Sequence, residues 1–82
     1  MYRIKEKVSV KKLKRFGYEK EDNLYVKKVY KTSDYTYFEV FVNMYTREIN
    51  AYDGYSFSFH INDDDIEKVI EDLIKANMIE RL

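Results

Sequence analysis

Four consecutive segments between residues 24 and 61 are rich in Tyr, Phe, Val and Ile, and short connections separate them. Connections of this length favour hairpins, so the segments predict a four-stranded antiparallel meander. The predicted strands are Leu24–Tyr30, Tyr35–Asn43, Arg47–Tyr52 and Tyr55–Ile61.

The register of the meander is argued from side-chain parity, since a slip of one residue would turn an apolar set to the wrong face. A three-residue turn over residues 32–34 would set Val26 opposite Val40. At the next connection, a three-residue loop with a left-handed Gly54 keeps Ile49 in phase with the apolar residues that follow.

A short helical pattern precedes the meander. Residues 10–16 carry apolar side chains three positions apart, which places them on one face. Ser9 can cap the helix, and Gly17 stands where a left-handed residue would end it. We therefore predict a two-turn helix in this segment.

The clearest helical pattern follows the meander. From Ile66 to Ile74, apolar side chains recur at i, i+3, i+4, i+7 and i+8. Asn62 or Asp63 can cap this helix, and Asn77 can end it. The residues after Asn77 can run extended beside residues 2–5.

These elements predict an α+β two-layer sandwich in the order helix, four-stranded antiparallel meander, helix (αββββα). Both helices would cover the same face of the sheet. A chain of 82 residues can enclose one core, so residues 1–82 are predicted to be a single domain. There is no cysteine, so stability must come from packing, and nothing requires an oxidising compartment.

Charge is sorted along the chain. Residues 1–31 hold eleven Lys or Arg against four Asp or Glu, and residues 32–82 hold four against eleven, so the halves carry +7 and −7. Each half could attract a partner of opposite sign. The N-terminus lacks the apolar run of a signal peptide, so the expected location is the cytoplasm, without membrane association.

The sheet face opposite the helices is the first candidate for contact with a partner. Large amphipathic rings framed by polar groups are what protein interfaces use as anchors. The preferred hypothesis is a small non-enzymatic protein-binding module that contacts a larger protein through this face or through the acidic last helix. The candidate residues are Tyr25, Tyr37, Glu39, Phe41, Tyr52, His60, Asp64, Glu67 and Glu71.

The alternative hypothesis is nucleic-acid binding, with cations on phosphates and the sheet tyrosines stacking on bases. No zinc-finger spacing, RNP-type motif or glycine-rich phosphate loop accompanies the cations, so nucleic acid is the less favoured partner. A third hypothesis is a homodimer whose contacts involve both charged ends of the chain. The candidate cations are Lys7, Lys11, Lys14 and Arg15.

Catalysis, metal binding and cofactor binding are not expected. His60 is the single histidine, and by parity it lies beside Ser58 on the uncovered sheet face, which cannot exclude water. Consecutive Asp residues at the start of a helix point in different directions, which does not suit a calcium loop.

Several short stretches of the chain carry a resemblance. They are Met1-Tyr2-Arg3-Ile4-Lys5, Leu13-Lys14-Arg15-Phe16-Gly17-Tyr18, Thr46-Arg47-Glu48-Ile49 and Leu73-Ile74-Lys75-Ala76-Asn77-Met78-Ile79-Glu80. They resemble short uncharacterised proteins encoded by phages and prophages of low-GC Gram-positive bacteria. The resemblance implies an accessory protein acting in the bacterial host cell, a group that includes inhibitors of host enzymes and of antiviral defence systems. It assigns no functional residue.

Overall fold

The computed structural model describes residues 1–30, 37–54 and 61–82. The described strands form one antiparallel sheet of six strands in the order β2-β3-β4-β5-β1-β6. The strands are β1 Tyr2–Ile4, β2 Glu19–Glu21, β3 Leu24–Tyr30, β4 Tyr37–Asn43, β5 Glu48–Asp53 and β6 Ile79–Arg81. The helices are a 3₁₀ helix at Val10–Phe16, α1 at Asp63–Val69 and α2 at Glu71–Lys75.

The predicted αββββα order is wrong. β1 precedes the first helix, and β6 follows the last one and pairs with β1, with Tyr2 opposite Arg81 and Ile4 opposite Ile79. This pairing confirms that the C-terminal residues run extended beside the N-terminal ones. β2 adds a hairpin before the meander. Each of these strands has three residues, which is too short for alternation to be recognised in the sequence.

The centre of the predicted meander is confirmed, since β3 begins and ends as predicted and β4 and β5 follow it. The predicted register between β3 and β4 is wrong by one residue: Val26 lies opposite Phe41, and Tyr25 lies opposite Val42. β3 carries apolar side chains on both of its faces, so parity alone could not choose between them. Of the fourth predicted strand, all but Ile61 lies outside the described residues.

The first helix has the predicted boundaries but is a 3₁₀ helix. The Ser9 side chain accepts a hydrogen bond from the Lys11 backbone N–H, and Gly17 ends the helix with φ of 90°. The apolar residues of this helix, Val10, Leu13 and Phe16, lie three positions apart, which matches the three residues per turn of a 3₁₀ helix. Leu13 is buried in the core.

The predicted last helix is divided into α1 and α2 at Ile70, whose φ of −110° is not helical. Asn62 is the N-cap, and its side chain accepts a hydrogen bond from the Asp65 N–H at 2.9 Å. Asn77 follows the end of α2, as predicted, and its backbone is left-handed with φ of 59°. The exposed member of the predicted apolar stripe is Ile74, at 41 %.

The core lies between one face of the sheet and the three helices. It contains large side chains from the sheet, from the 3₁₀ helix, from α1 and α2, and from the segment between the 3₁₀ helix and β2. Its buried members are Tyr2, Ile4, Leu13, Tyr18, Tyr25, Phe38, Val40, Val42, Ile49, Ile66, Val69, Ile70, Leu73 and Met78.

Gly54 does not adopt the predicted left-handed backbone. A glycine is needed there because β5 ends close to the start of β4: an added Cβ would lie 2.9 Å from the Tyr37 carbonyl oxygen. The Gly54 N–H donates a hydrogen bond to that same oxygen at 2.8 Å.

Candidate functional site

The sheet face opposite the helices, which we call the outer face, carries an apolar centre. Residues directly opposite each other on neighbouring strands share a face, and Val26 lies opposite Phe41, which lies opposite Asn50. Leu24 and Phe41 are both half-buried, like Val26, while Asn50 is exposed. Tyr37 and Tyr52 are half-buried on the same face.

Carboxylates surround this apolar centre. Glu19 lies opposite Val26, Glu21 lies opposite Leu24, and Glu39 lies opposite Lys28. Among the described residues, none of these three carboxylates forms an ion pair.

A cleft of about 490 Å³ lies beside the acidic side chains at the sheet edge, where β2 begins at Glu19. Beyond Val26, the edge of β3 that faces away from β4 has no neighbouring strand in the described part of the chain. Val26 supplies its large apolar side chain. The Lys28 ammonium lies 5.1 Å from the centre of the Tyr37 ring. The lining residues are Gly17, Glu19, Glu21, Val26, Lys27, Lys28 and Glu39.

The structure brings together part of the predicted contact surface. Tyr37, Glu39, Phe41 and Tyr52 lie on the outer face. Tyr25 does not: it lies on the core face and is 2 % exposed, so its predicted exposure is wrong. The observed register between β3 and β4 differs from the predicted one by one residue, and this difference turns Tyr25 to the core face. The sixth predicted residue of this face, the single histidine at position 60, lies outside the described residues.

The acidic residues of the last helices lie on the other side of the molecule. Glu67 accepts a hydrogen bond from the Tyr2 hydroxyl, and this bond raises the pKa of Tyr2. Glu71 pairs with Lys75 at 2.9 Å, which lowers the pKa of Glu71. The third candidate, Asp64, is exposed. These residues therefore belong to the helical layer and do not extend the outer face.

Much of the remaining acid of this region is paired with cations. Asp63 lies 3.5 Å from the N-terminal ammonium and 3.2 Å from the Arg81 guanidinium. Asp72 pairs with Lys27 at 3.1 Å. Pairing within the fold thus offsets part of the negative charge of the acidic half.

The predicted cations keep their charge exposed. Lys7, Lys11, Lys14 and Arg15 are all exposed, as is Lys12 beside them. Within the described ranges, none of these cations forms an ion pair. The 3₁₀ helix that carries most of them packs on the core face, because Leu13 belongs to the core. The structure therefore places the cations of the 3₁₀ helix on the opposite side of the sheet from Tyr37 and Tyr52, whereas Lys7 lies beside Arg3 and Glu80.

Sequence reasoning missed Glu19, Glu21 and the outer-face position of Val26. The signal for the two glutamates was Asp22-Asn23, a pair of turn-forming residues directly before an apolar segment. The structure uses these residues as the turn of the β2–β3 hairpin. Val26 was assigned to the covered face by the incorrect register.

Among the described residues, no group of three or more His, Cys, Asp or Glu side chains is arranged to hold a metal ion. No helix in the described ranges has the length and apolar character needed to cross a membrane. No protein-family model, curated protein or solved structure matches the chain. The resemblance to phage and prophage proteins stays a prediction.

Proposed function

We propose that this protein is a non-enzymatic protein-binding module whose outer face docks on a protein surface carrying an exposed Arg or Lys. The observation that carries the proposal is the cleft in which Val26 lies among Glu19, Glu21 and Glu39. A long basic side chain fits this chemistry, since its aliphatic stem can pack on Val26 while its charged end meets the carboxylates.

The neighbouring aromatic side chains support a protein partner. Phe41, Tyr37 and Tyr52 lie on the same face as the cleft. Aromatic anchors beside a desolvated Arg are typical of the residues that dominate protein-binding energy.

The same carboxylates argue against nucleic acid on this face. Base stacking on Tyr37 or Tyr52 would bring phosphates close to Glu39, which lies directly opposite Tyr52. Like charges at such an interface repel, and Lys28, which lies opposite Glu39 on this face, can offset only one of the three carboxylates.

The proposed partner is a larger host or antiviral-defence protein, a proposal that rests on the resemblance to phage and prophage proteins. The experiment is therefore done in lysate of a low-GC Gram-positive bacterium. A photo-crosslinking amino acid is placed at Asn50, which is exposed and directly opposite Phe41. A matched variant carries it at Lys12, exposed on the 3₁₀ helix.

The expected result is a discrete heterologous adduct from position 50 and none of the same mass from position 12. The double substitution Glu19→Gln with Glu39→Gln should reduce this adduct about tenfold, because it removes the charges that would hold the basic side chain. Asp64→Asn with Asp65→Asn removes the same charge from the helical side and should leave the adduct unchanged. Equal adducts from both positions, an adduct with a second copy of this chain, or equal loss in both double variants would refute the proposal.

A further inference from the structure

The 3₁₀ helix presents its cations in two rows. In this kind of helix, residues three apart lie in line along the axis. Val10, Leu13 and Phe16 form the row that faces the core, with Leu13 fully buried and the other two half-buried. The two remaining rows are therefore Lys11 with Lys14, and Lys12 with Arg15. A rise of about 2 Å per residue separates successive cations within a row by roughly 6 Å along the axis.

No carboxylate lies within this segment to neutralise the rows. Residues 7–18 contain five cations and no Asp or Glu. Lys20, on the neighbouring strand β2, is also exposed. Elsewhere in the described part of the chain, Arg3 pairs with Glu80 and Lys27 pairs with Asp72. The unpaired charge of the 3₁₀ helix is thus a local property and not that of every cation in the protein.

The scaffold under the cations is held at both ends. At the start, the Ser9 side chain accepts a hydrogen bond from the Lys11 N–H. At the end, the Gly17 N–H donates to the Lys14 carbonyl and the Tyr18 N–H donates to the Leu13 carbonyl at 3.2 Å. Together with the buried Leu13 side chain, these bonds fix the direction of both rows before any ligand binds, which lowers the entropic cost of binding.

We propose that this basic surface binds the phosphate backbone of nucleic acid without reading its bases. A regular array of cations suits a ligand whose negative charges are also regularly spaced. An acidic protein fits less well, because protein interfaces have an apolar centre and the apolar side chains of this helix are turned toward the core. The outer-face aromatic side chains Tyr37, Phe41 and Tyr52 lie on the opposite side of the sheet from this helix, so the proposed binding depends on charge and not on stacking by these rings.

The test is a fluorescence-anisotropy titration of the full chain with labelled random-sequence duplex DNA and single-stranded RNA. Four phosphate contacts predict a slope of about −3 to −4 for duplex DNA in a plot of log K against log salt. The affinity should then fall about 10²-fold when salt rises from about 50 mM to about 200 mM.

The double substitution Lys11→Ala with Lys14→Ala should weaken binding and make the slope shallower by about 2, because two phosphate contacts are lost. Both side chains are exposed, so the fold should tolerate the change. Lys68→Ala with Lys75→Ala removes the same charge from α1 and α2 and serves as the matched control, with no change of affinity or slope expected.

Each of the other outcomes overturns the proposal. One is the absence of binding to either nucleic acid at low salt. Another is an equal loss in the two double variants, which would reflect net charge alone. A third is binding to vesicles of anionic lipid without binding to DNA or RNA, which would assign the surface to a membrane.

Discussion

At the scale of single residues, Arg47 holds two distant segments together. Its guanidinium donates hydrogen bonds to the backbone carbonyls of Lys5, at 2.8 Å, and Val8. Its own backbone is left-handed, with φ of 65°, which is unfavourable for a residue with a long side chain such as arginine. The Arg47 side chain thus stabilises the segment before the 3₁₀ helix, while the strained Arg47 backbone destabilises the turn between β4 and β5.

Two substitutions at Arg47 separate these effects. Arg47→Ala loses both charge-assisted hydrogen bonds and should lower the free energy of unfolding by about 2 kcal/mol. Arg47→Gly loses the same bonds but relieves the backbone, so it should lose only about 1 kcal/mol. Urea unfolding measures both. A glycine variant less stable than the alanine variant would show that the left-handed backbone is not the source of the difference.

Tyr18 buries a hydroxyl group that has no hydrogen-bond partner among the described residues. Its ring lies in the core, 2 % exposed, with the Lys27 ammonium 5.4 Å from the ring centre. Burial raises the pKa of Tyr18, and the nearby Asp72 carboxylate raises it further. The hydroxyl therefore stays protonated in the folded protein at a pH where an unfolded chain would lose the proton.

Tyr18→Phe should raise the free energy of unfolding by about 1 kcal/mol at neutral pH, since it removes an unsatisfied buried group. Above about pH 10, the Tyr18 hydroxyl loses its proton in the unfolded chain but keeps it in the folded protein. The free energy of unfolding of the wild type therefore falls as the pH rises beyond this value. Urea unfolding at increasing pH should show a shallower alkaline loss in the variant. Tyr45→Phe, at a side chain 76 % exposed, is the control, and a destabilised Tyr18→Phe would contradict the expectation.

Among the elements, the 3₁₀ helix and α1 each begin at a residue whose side chain caps the helix. α1 begins where the Asn62 side chain accepts a hydrogen bond from the Asp65 N–H. The three Asp side chains of its first turn also stabilise it, because their negative charges lie at the positive end of the helix dipole. α2 is five residues long, and no side chain caps it. The capping energy of this segment is therefore concentrated at Asn62.

Asn62→Ala should lower the free energy of unfolding by about 1 kcal/mol, because one backbone N–H of α1 loses its acceptor. Asn62→Ser keeps an oxygen acceptor at the same position and should retain most of that energy. Thermal or urea unfolding distinguishes the two. Equal stability of both variants would mean that the cap contributes nothing.

At the scale of the whole molecule, folding rearranges the charge. Among the described residues, three ion pairs join the basic half of the chain to the acidic half: Arg3 with Glu80, Lys27 with Asp72, and the N-terminal ammonium with Asp63. Among the described residues, the largest cluster of cations without ion pairs lies on the helical side, at the 3₁₀ helix. The unpaired carboxylates around Val26 lie on the outer face. The charge is divided between the two sides of the sheet, and not only between the two ends of the chain.

The two proposed surfaces should therefore act independently. Glu19→Gln with Glu39→Gln should leave nucleic-acid affinity unchanged or raise it slightly, because it removes negative charge from the far side of the sheet. The same anisotropy titration measures this. A loss of nucleic-acid affinity in this variant would mean that the outer face takes part in that binding.

Local signals in the sequence were sufficient for the strands β3 to β5 and for the caps. Ser9, Gly17, Asn62 and Asn77 act at the positions expected of them, because a cap depends on the backbone within a few residues of itself. The three-residue spacing of Leu13 and its neighbours was also compatible with a 3₁₀ helix, since it repeats with the period of that helix.

The pairing of these elements, by contrast, depends on contacts made after the chain has folded. The joining of β1 to β6, the register that buries Tyr25 and exposes the cleft around Val26, and the choice of which charges pair all depend on residues far apart in the chain. β3 has apolar side chains on both faces, so either register would have buried some of them. The register that formed places Lys27 within reach of Asp72 on α2, a contact 45 positions away that no local pattern contains.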